Sequence, residues 1–308
     1  MSIEGIWVKS AIIPFLPFHL GDPMTKLAEL RKKILAQTKK KVEEVYTEKD
    51  RYIVQAIEAL DDLDAAFNLL VARTREWYGL HFPEINTIVK DHEKFLRLVT
   101  EIGERKSMNE ERIREILGKE LARKVAEAAE QSMGTELTGD DLKMIRDFAE
   151  RALELRLMRK RLAEYIEKQM KEIAPNVTAI AGPLLGARLI AKAGGLRKLA
   201  LLPASTIQVL GAEKALFRHL TKGTKPPKHG ILFQHPWIRT AKWWQRGKIA
   251  RSMAAKLAIA AREDYFGGKY VADKLLEELK ERVQEVKEKY PTPPKKQKKR
   301  GQRKGKKR

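Results

Sequence analysis

Residues 84–174 contain no proline, and Pro83 and Pro175 stand at either side of that run. Proline removes a backbone N–H and clashes with the preceding turn, so a run free of it between two prolines points to long helices bounded by breakers. The apolar spacing agrees. From "TEKD", where Thr47 can cap and Asp50 follows three residues on, Ile53, Ala56, Leu60, Leu63, Phe67, Leu70 and Trp77 alternate by three and four, with polar Thr74 the one defect. A second series reads Ile145, Phe148, Ala152, Leu155, Leu162, Ile166 and Ile173, with Arg159 and Gln169 at two seam positions. A repeat of seven held over three heptads predicts a coiled-coil seam. Two such helices, separated by the helical stretch "NEERIREILGKELARKVAEAAEQSMG", fold back most simply as an antiparallel pair. An ordinary helical bundle core is the plain alternative. The acidic "DDLD" (Asp61, Asp62, Asp64) reads as a solvated face rather than a metal site.

Charge divides the chain. Of the 308 residues, 1–46 carry 8 basic and 5 acidic side chains, 47–175 carry 23 and 27, 176–268 carry 16 and 3, and 269–308 carry 16 and 6. The formal excess of +22 belongs to the C-terminal half. That asymmetry suggests a module that leaves polyanions alone followed by one that touches them. Without cysteine, disulfides and thiolate metal sites are excluded. The most apolar region, residues 180–195, contains Arg188 and Lys192, so no membrane span is expected. "AIIPFLPFHL" is too short and proline-broken to span, and it lacks the cleavage pattern of a signal peptide.

The residue patterns of catalysis do not assemble. His19, His81, His92, His219, His229 and His235 form no metal-ligand spacing on one helix face, and neither a Walker loop nor a nucleophile elbow is present. "AGPLLGARLIAKAGG" fits no dinucleotide fingerprint. Its Gly182 and Gly186 have two readings. Four apart on a helix they let another helix approach, which is the commoner use; at a helix start, as in helix-hairpin-helix DNA binders, their N–H groups receive a phosphate. No cofactor or metal is expected, and the chain reads as a binding scaffold rather than an enzyme.

The strongest binding signal is "GAEKALFRHLTKGTKPPKHGILFQHPWI", residues 211–238. Ser205 or Thr206 can cap the turn before it, Gly211 breaks the chain, and Ala212 to Leu220 form a short helix. On it Lys214, Arg218 and Lys222 lie four apart and make one cationic stripe, while Leu216 and Leu220 can anchor the helix to the core. Glu213, the single acid between residues 173 and 262, favours the helix dipole and can orient Lys214. Lys222, Lys225 and Lys228 then sit in a Gly/Pro loop that projects charge, and "ILFQHPWI" reads as an aromatic, strand-like run. Trp237, Trp243 and Trp244 lie among Arg239, Lys242, Arg246, Lys248 and Arg251 and could stack bases. Tryptophans near proline are more often core anchors, so they stay outside the expected site. After Gly267-Gly268 comes an amphipathic helix, "KYVADKLLEELKERVQEVKEKY". Ten of the last fourteen residues are then Lys or Arg, a tail expected to be disordered and to attract phosphate nonspecifically.

At "GAEKALFRHL", "TKPPKHG" and "ILFQHPWI", in that order, the sequence resembles the Nop domain of the archaeal and nucleolar Nop proteins, scaffold subunits of box C/D guide ribonucleoproteins. Upstream, "REWYGLHFPE" (Arg75 to Glu84) resembles the family's coiled-coil entry. The likeness covers roughly residues 45 to 270 and a basic tail. It implies a domain that reads a kink-turn RNA already held by a small kink-turn-binding, ribosomal-like protein. It further implies that Glu213 and Lys214 lie at the RNA stem and that Ala215, Leu216, Phe217 and Arg218 approach the end of the guide–target duplex. The full set expected to bind RNA is Gln208, Glu213, Lys214, Ala215, Leu216, Phe217, Arg218, His219, Lys222, Lys225 and Lys228. A homodimer through the coil is implied too, with Ile53, Leu60, Leu63, Phe67, Leu70, Leu155, Leu162 and Ile166 as its residues. Methyl transfer would belong to fibrillarin with its own S-adenosylmethionine. The family docks fibrillarin on an N-terminal α/β domain that "MSIEGIWVKSAIIPFLPFHLGDP" does not match, although "IEGIWVK" suggests one strand, so that partnership is the one the residues here do not carry.

The expectation is a chain that is all-α for most of its length: a short N-terminal segment (1–46) incomplete relative to the family, a long antiparallel coiled-coil dimerisation domain (47–175), a compact helical Nop domain (176–290) and a disordered basic tail (291–308). Its expected function is a noncatalytic scaffold for RNA-guided 2′-O-methylation of rRNA or tRNA, cytoplasmic in an archaeon and nucleolar in eukaryotic relatives. The rivals are a nonspecific nucleic-acid-binding architectural protein and a purely structural coiled-coil adaptor.

Overall fold

The computed structural model describes residues 23–46 and 49–294. The Thr47 cap, the "IEGIWVK" strand and the tail beyond residue 294 lie outside them. All regular structure in the described residues is helical, with no strand. Helix α1 (Pro23–Tyr46) belongs to a unit of its own and leaves Leu27, Leu30, Ile34 and Leu35 exposed. From Asp50 onward the second unit contains α2 (Asp50–Tyr78), α3 (Ile85–Ile88), α4 (His92–Glu101), α5 (Glu110–Leu117), α6 (Lys119–Glu130) and α7 (Gly139–Ile173). Shorter helices follow: α8 (Pro175–Ala181), α9 (Pro183–Ala193), α10 (Leu196–Leu201), α11 (Ala204–Val209), α12 (Glu213–Lys222), α13 (Pro236–Arg239), α14 (Arg246–Arg262) and α15 (Ala272–Lys289).

The two long helices, α2 and α7, pack side by side and run antiparallel. Trp77 near the end of α2 meets Phe148 near the start of α7 with ring centroids 5.9 Å apart. Farther along, Asp64 pairs with Arg159 at 2.7 Å, and Ile53 shares a core with Ile166 and Met170. The buried face of α2 departs from a strict heptad. Ile53, Ile57, Leu60, Phe67, Val71, Thr74 and Tyr78 are buried, whereas Leu63, Leu70 and Trp77 are half-buried. An ordinary helix with 3.6 residues per turn brings Val71 back over Ile53 after five turns, and a seven-residue count falls behind it by about 20° per heptad. Thr74, read as a defect, is fully buried and satisfied, its hydroxyl donating to the Leu70 carbonyl at 2.8 Å. On α7, Ile166 is buried and Leu155 and Leu162 are half-buried. Nor is "DDLD" simply a solvated face: Asp61 pairs with Arg188 of α9 and Asp64 with Arg159, so two of the three carboxylates tie α2 to its neighbours.

Two apolar cores share these helices. One takes in Ile53 to Leu60 of α2, Ile166 and Met170 of α7, and the buried residues of α8–α11, α13, α14 and α15. The other takes in Phe67 to Tyr78, the start of α7 and the buried faces of α3–α6. The run "REWYGLHFPE" organises the second. Arg75 donates to the Val89 carbonyl at 2.9 Å and lies 4.2 Å from the Phe95 ring centroid. Tyr78, fully buried, donates its hydroxyl to the Gly103 carbonyl at 2.6 Å. His81 pairs Nδ1 with the Thr135 carbonyl at 2.7 Å and accepts at Nε2 from the Arg105 N–H at 3.1 Å. Glu84 accepts from the Ser132 hydroxyl at 2.7 Å.

The first core has its own polar clamps. Asp264, in the π-helical turn Glu263–Gly267, accepts from the Asn176 and Val177 N–H groups at 3.0 and 2.8 Å and from the Asn176 side chain at 2.7 Å, capping α8 from afar. Burial raises its carboxyl above the usual carboxylate range in spite of those donors. Asp50, whose expected capping partner Thr47 lies outside the described residues, accepts from the Leu196 N–H at 2.6 Å and caps α10. Gly182 is the N-cap of α9 at φ +82°, with Pro183 in the first turn. At Gly186 an added Cβ would stand 2.8 Å from the Met170 Cε, so this glycine serves close helix packing.

Candidate nucleic-acid interface

The site is built on α11, α12 and the loop after them. Pro203, rather than Ser205 or Thr206, is the N-cap of α11. Gly211 turns the chain at φ +83°, and α12 follows one residue later than the sequence suggests. Glu213 folds back so that its Oε1 accepts from the Gly211 N–H at 2.6 Å. It does not orient Lys214, and the one acid of the segment is spent on its own backbone. Gly223, in the left-handed region, ends α12 and donates to the His219 carbonyl.

No residue of α12 is buried. Lys214 and Arg218 are exposed, as are Lys222, Lys225 and Lys228 along the loop. Ala215, Leu216 and His219 are half-buried, and His219 Nδ1 contacts the Thr224 carbonyl, drawing the loop back on the helix. Leu220 does not anchor the helix: it is 73% exposed, and Phe217 is 66% exposed. Two large apolar side chains in water beside three cations are unusual for a helix whose role is packing. Gln208 stands apart from the other expected RNA residues. It is buried, and its Nε2 donates to the Lys228 carbonyl at 2.8 Å, so it holds the loop instead of facing outward.

The loop base is closed tightly. Gly230 donates to the Gln208 carbonyl at 2.9 Å, and a Cβ there would stand 1.9 Å from the Leu210 carbonyl oxygen. "ILFQHPWI" is a 3-10 turn (Ile231–Gln234) followed by α13, because Pro236 occupies the first helical turn and His235 Nδ1 accepts from the Trp237 N–H at 3.2 Å. Burial pushes the His235 imidazole below its ordinary value, and burial together with Arg246 does the same to His229. His229 stacks on Phe233 with centroids 4.9 Å apart. Among the described residues no group of three or more His, Asp or Glu is placed to hold a metal ion, and no helix is long and apolar enough to cross a membrane.

A chain whose described residues form helices alone and that presents a basic helix and loop is the class these features define. Sequence comparison gives the family. The Nop family pattern, described as "snoRNA binding domain, fibrillarin", matches residues 59–285, and the chain belongs to that family. An "Uncharacterized NOP5 family protein" of Methanocaldococcus jannaschii is 55% identical over 256 residues, 83% of this chain and 62% of that one. "Nucleolar protein 58" of Scheffersomyces stipitis is 48% identical over 215 residues, 70% of this chain and 42% of that one. The chain thus spans less than two thirds of the length of either relative. A solved fibrillarin/Nop5p complex contains a chain with 31% identity, covering 89% of this chain and 86% of that chain, at a TM-score of 0.47.

Proposed function

We propose that this protein is a noncatalytic scaffold of a box C/D guide ribonucleoprotein. Its α12 and the following loop recognise a kink-turn RNA together with a small kink-turn-binding protein, and the assembly supports 2′-O-methylation by fibrillarin. The observation that carries the reading is the surface of α12 and its loop, where Lys214, Arg218, Lys222, Lys225 and Lys228 are exposed while Glu213 is turned onto the backbone. A phosphate backbone is the ligand such a surface attracts. Phe217 and Leu220 give the same helix an apolar edge suited to the flat end of a duplex. Membership of a family described by snoRNA binding and fibrillarin supports the choice of RNA and enzyme. The domain boundaries at 47, 176 and 291 belong to this proposal, as does a cytoplasmic location in an archaeal cell.

Dimerisation is part of the same proposal, with a change of residues. Ile53, Leu60, Phe67 and Ile166 are buried against the chain's own helices, so a second copy would meet the half-buried Leu63, Leu70, Leu155 and Leu162 of the expected set or the outward apolar side chains Leu69, Leu157, Met158 and Tyr165.

The test is a gel-shift titration of the full chain on a kink-turn RNA, with and without the kink-turn-binding protein, at about physiological salt and with unlabelled duplex DNA as competitor. Tight binding only when both components are present supports composite recognition. Equal, competitor-sensitive binding to any nucleic acid overturns it in favour of a nonspecific architectural role.

A further inference from the structure

Trp243 is 56% exposed although the residues after it are pinned. Trp244 donates Nε1 to the Tyr290 carbonyl at 2.8 Å, and buried Gln245 donates Nε2 to the same oxygen at 2.8 Å. The Trp244 ring abuts Trp243 edge-on, with centroids 5.7 Å apart and planes at 89°. Trp243 is therefore held from behind while more than half of it faces water, forfeiting much of the burial energy that an indole can give. Lys228, the last cation of the loop, places its Nζ 5.0 Å from the Trp243 ring centroid, and Gln208 fixes the Lys228 backbone. Lys242 lies over Trp244 at 5.5 Å and Arg246 over Phe233 at 5.1 Å. None of these three cations has a carboxylate partner among the described residues.

We infer that Trp243, with the Lys228 ammonium over one face of its ring, is a stacking platform, through the ring surface it leaves in water, for an unpaired nucleotide of the RNA held by α12 and its loop. The inference rests on the proposed RNA-binding function and extends it to a residue outside the expected set. A base of any identity can stack on an indole while its phosphate meets the neighbouring ammonium and guanidinium groups. A protein partner would have to bury the ring in an apolar pocket of its own, which the surrounding cations penalise by their desolvation. The position suits a nucleotide that leaves the helical stem, because the loop carrying Lys225 and Lys228 joins α12 to this patch.

The experiment uses the full chain and the kink-turn-binding protein on two RNAs, one ending flush and one carrying a short single-stranded extension with 2-aminopurine as the reporting base. The wild-type chain is expected to favour the extended RNA by about tenfold and to quench the reporter. Trp243→Ala should abolish both effects and leave the salt slope unchanged, Trp243→Phe should keep most of the preference, and Lys228→Ala should lower the slope by about 0.7 to 0.9. A Trp243→Ala chain that discriminates between the RNAs as well as wild type overturns the inference while the scaffold reading stands. Unchanged discrimination with a changed sedimentation profile reassigns Trp243 to a protein contact, which also overturns it. A wild-type chain that binds neither RNA removes the scaffold reading first and this inference with it. Because the ring is largely exposed, an unchanged melting curve identifies any loss as one of binding.

Discussion

Arg159 of α7 and Asp64 of α2 form an ion pair at 2.7 Å, so a polar residue at the predicted seam of one helix is answered by a carboxylate of the other. A second hydrogen bond, from Nη2 to the other carboxylate oxygen at 3.2 Å, makes the pair bidentate.

About a third of each side chain is exposed, which screens the pair and limits its worth to roughly 1 kcal/mol. A double-mutant cycle of Asp64→Ala and Arg159→Ala, read by urea denaturation, should return a coupling of that size. A cycle in which the two effects simply add would show the pair to be energetically idle.

Lys214→Ala and Arg218→Ala should each weaken RNA assembly several-fold and reduce the salt slope by roughly 0.7 to 0.9 for each phosphate no longer neutralised. Both side chains are exposed, so the unfolding free energy should move by no more than about 0.5 kcal/mol. Filter binding at several salt concentrations, beside a melt of the same samples, checks both halves of the statement.

Two glycines should respond to different degrees. Gly230→Ala forces a methyl group against the Leu210 carbonyl, which is backbone and cannot step aside, and the expected cost is about 1–3 kcal/mol. Gly186→Ala meets the flexible end of Met170 and, at 3.2 Å, the Val177 Cγ1, and the gain in helix propensity of about 1 kcal/mol offsets part of that crowding, so its cost should be the smaller. Chemical denaturation of the two variants gives the comparison directly.

Acid should weaken the fold through His235. Its folded value lies below the ordinary 6.5, so the unfolded chain takes up the proton first as pH falls. The stability it contributes is fully present above about pH 6.5 and is lost as pH drops toward the depressed folded value. His235→Asn keeps a cap acceptor for the Trp237 N–H and removes the titration. Melting temperatures between about pH 7.5 and 5 should fall less steeply for the variant than for the wild type.

The seam of α2 was legible in its first turns, where Ile53 and Leu60 are buried as their spacing implies, and in Phe67 beyond them. At the far end Leu70 and Trp77 are half-buried and still pack against the second core, Trp77 on Phe148, while Val71 and Tyr78 take the fully buried places, because a seven-residue count drifts against a straight helix. Spacing could not show that Asp61 reaches Arg188 of α9 or that Asp50 caps α10, since both pairings join residues more than a hundred positions apart. In the site, the cationic stripe of α12 was visible because exposed charge needs no tertiary partner. Leu220 is exposed against expectation because spacing alone does not reveal whether anything lies against a side chain. Trp243 and Trp244 are chemically identical in the sequence, and the hydrogen bond from Trp244 to the Tyr290 carbonyl marks it as the half-buried ring of the two and Trp243 as the exposed one. "ILFQHPWI" has the composition of an extended run, yet Pro236 and His235 start a helix within it.

The helices α2 and α7 each enter both apolar cores, so neither core can tilt without carrying a rigid rod with it. At 1.5 Å per residue the 29 residues of α2 make a rod of about 44 Å. A rotation of about 5° at one end therefore sweeps the other through about 4 Å, more than the length of a hydrogen bond. The helix pair is a lever arm, and the stiffness of its side-chain ties sets the positional tolerance with which its far end is placed relative to α12.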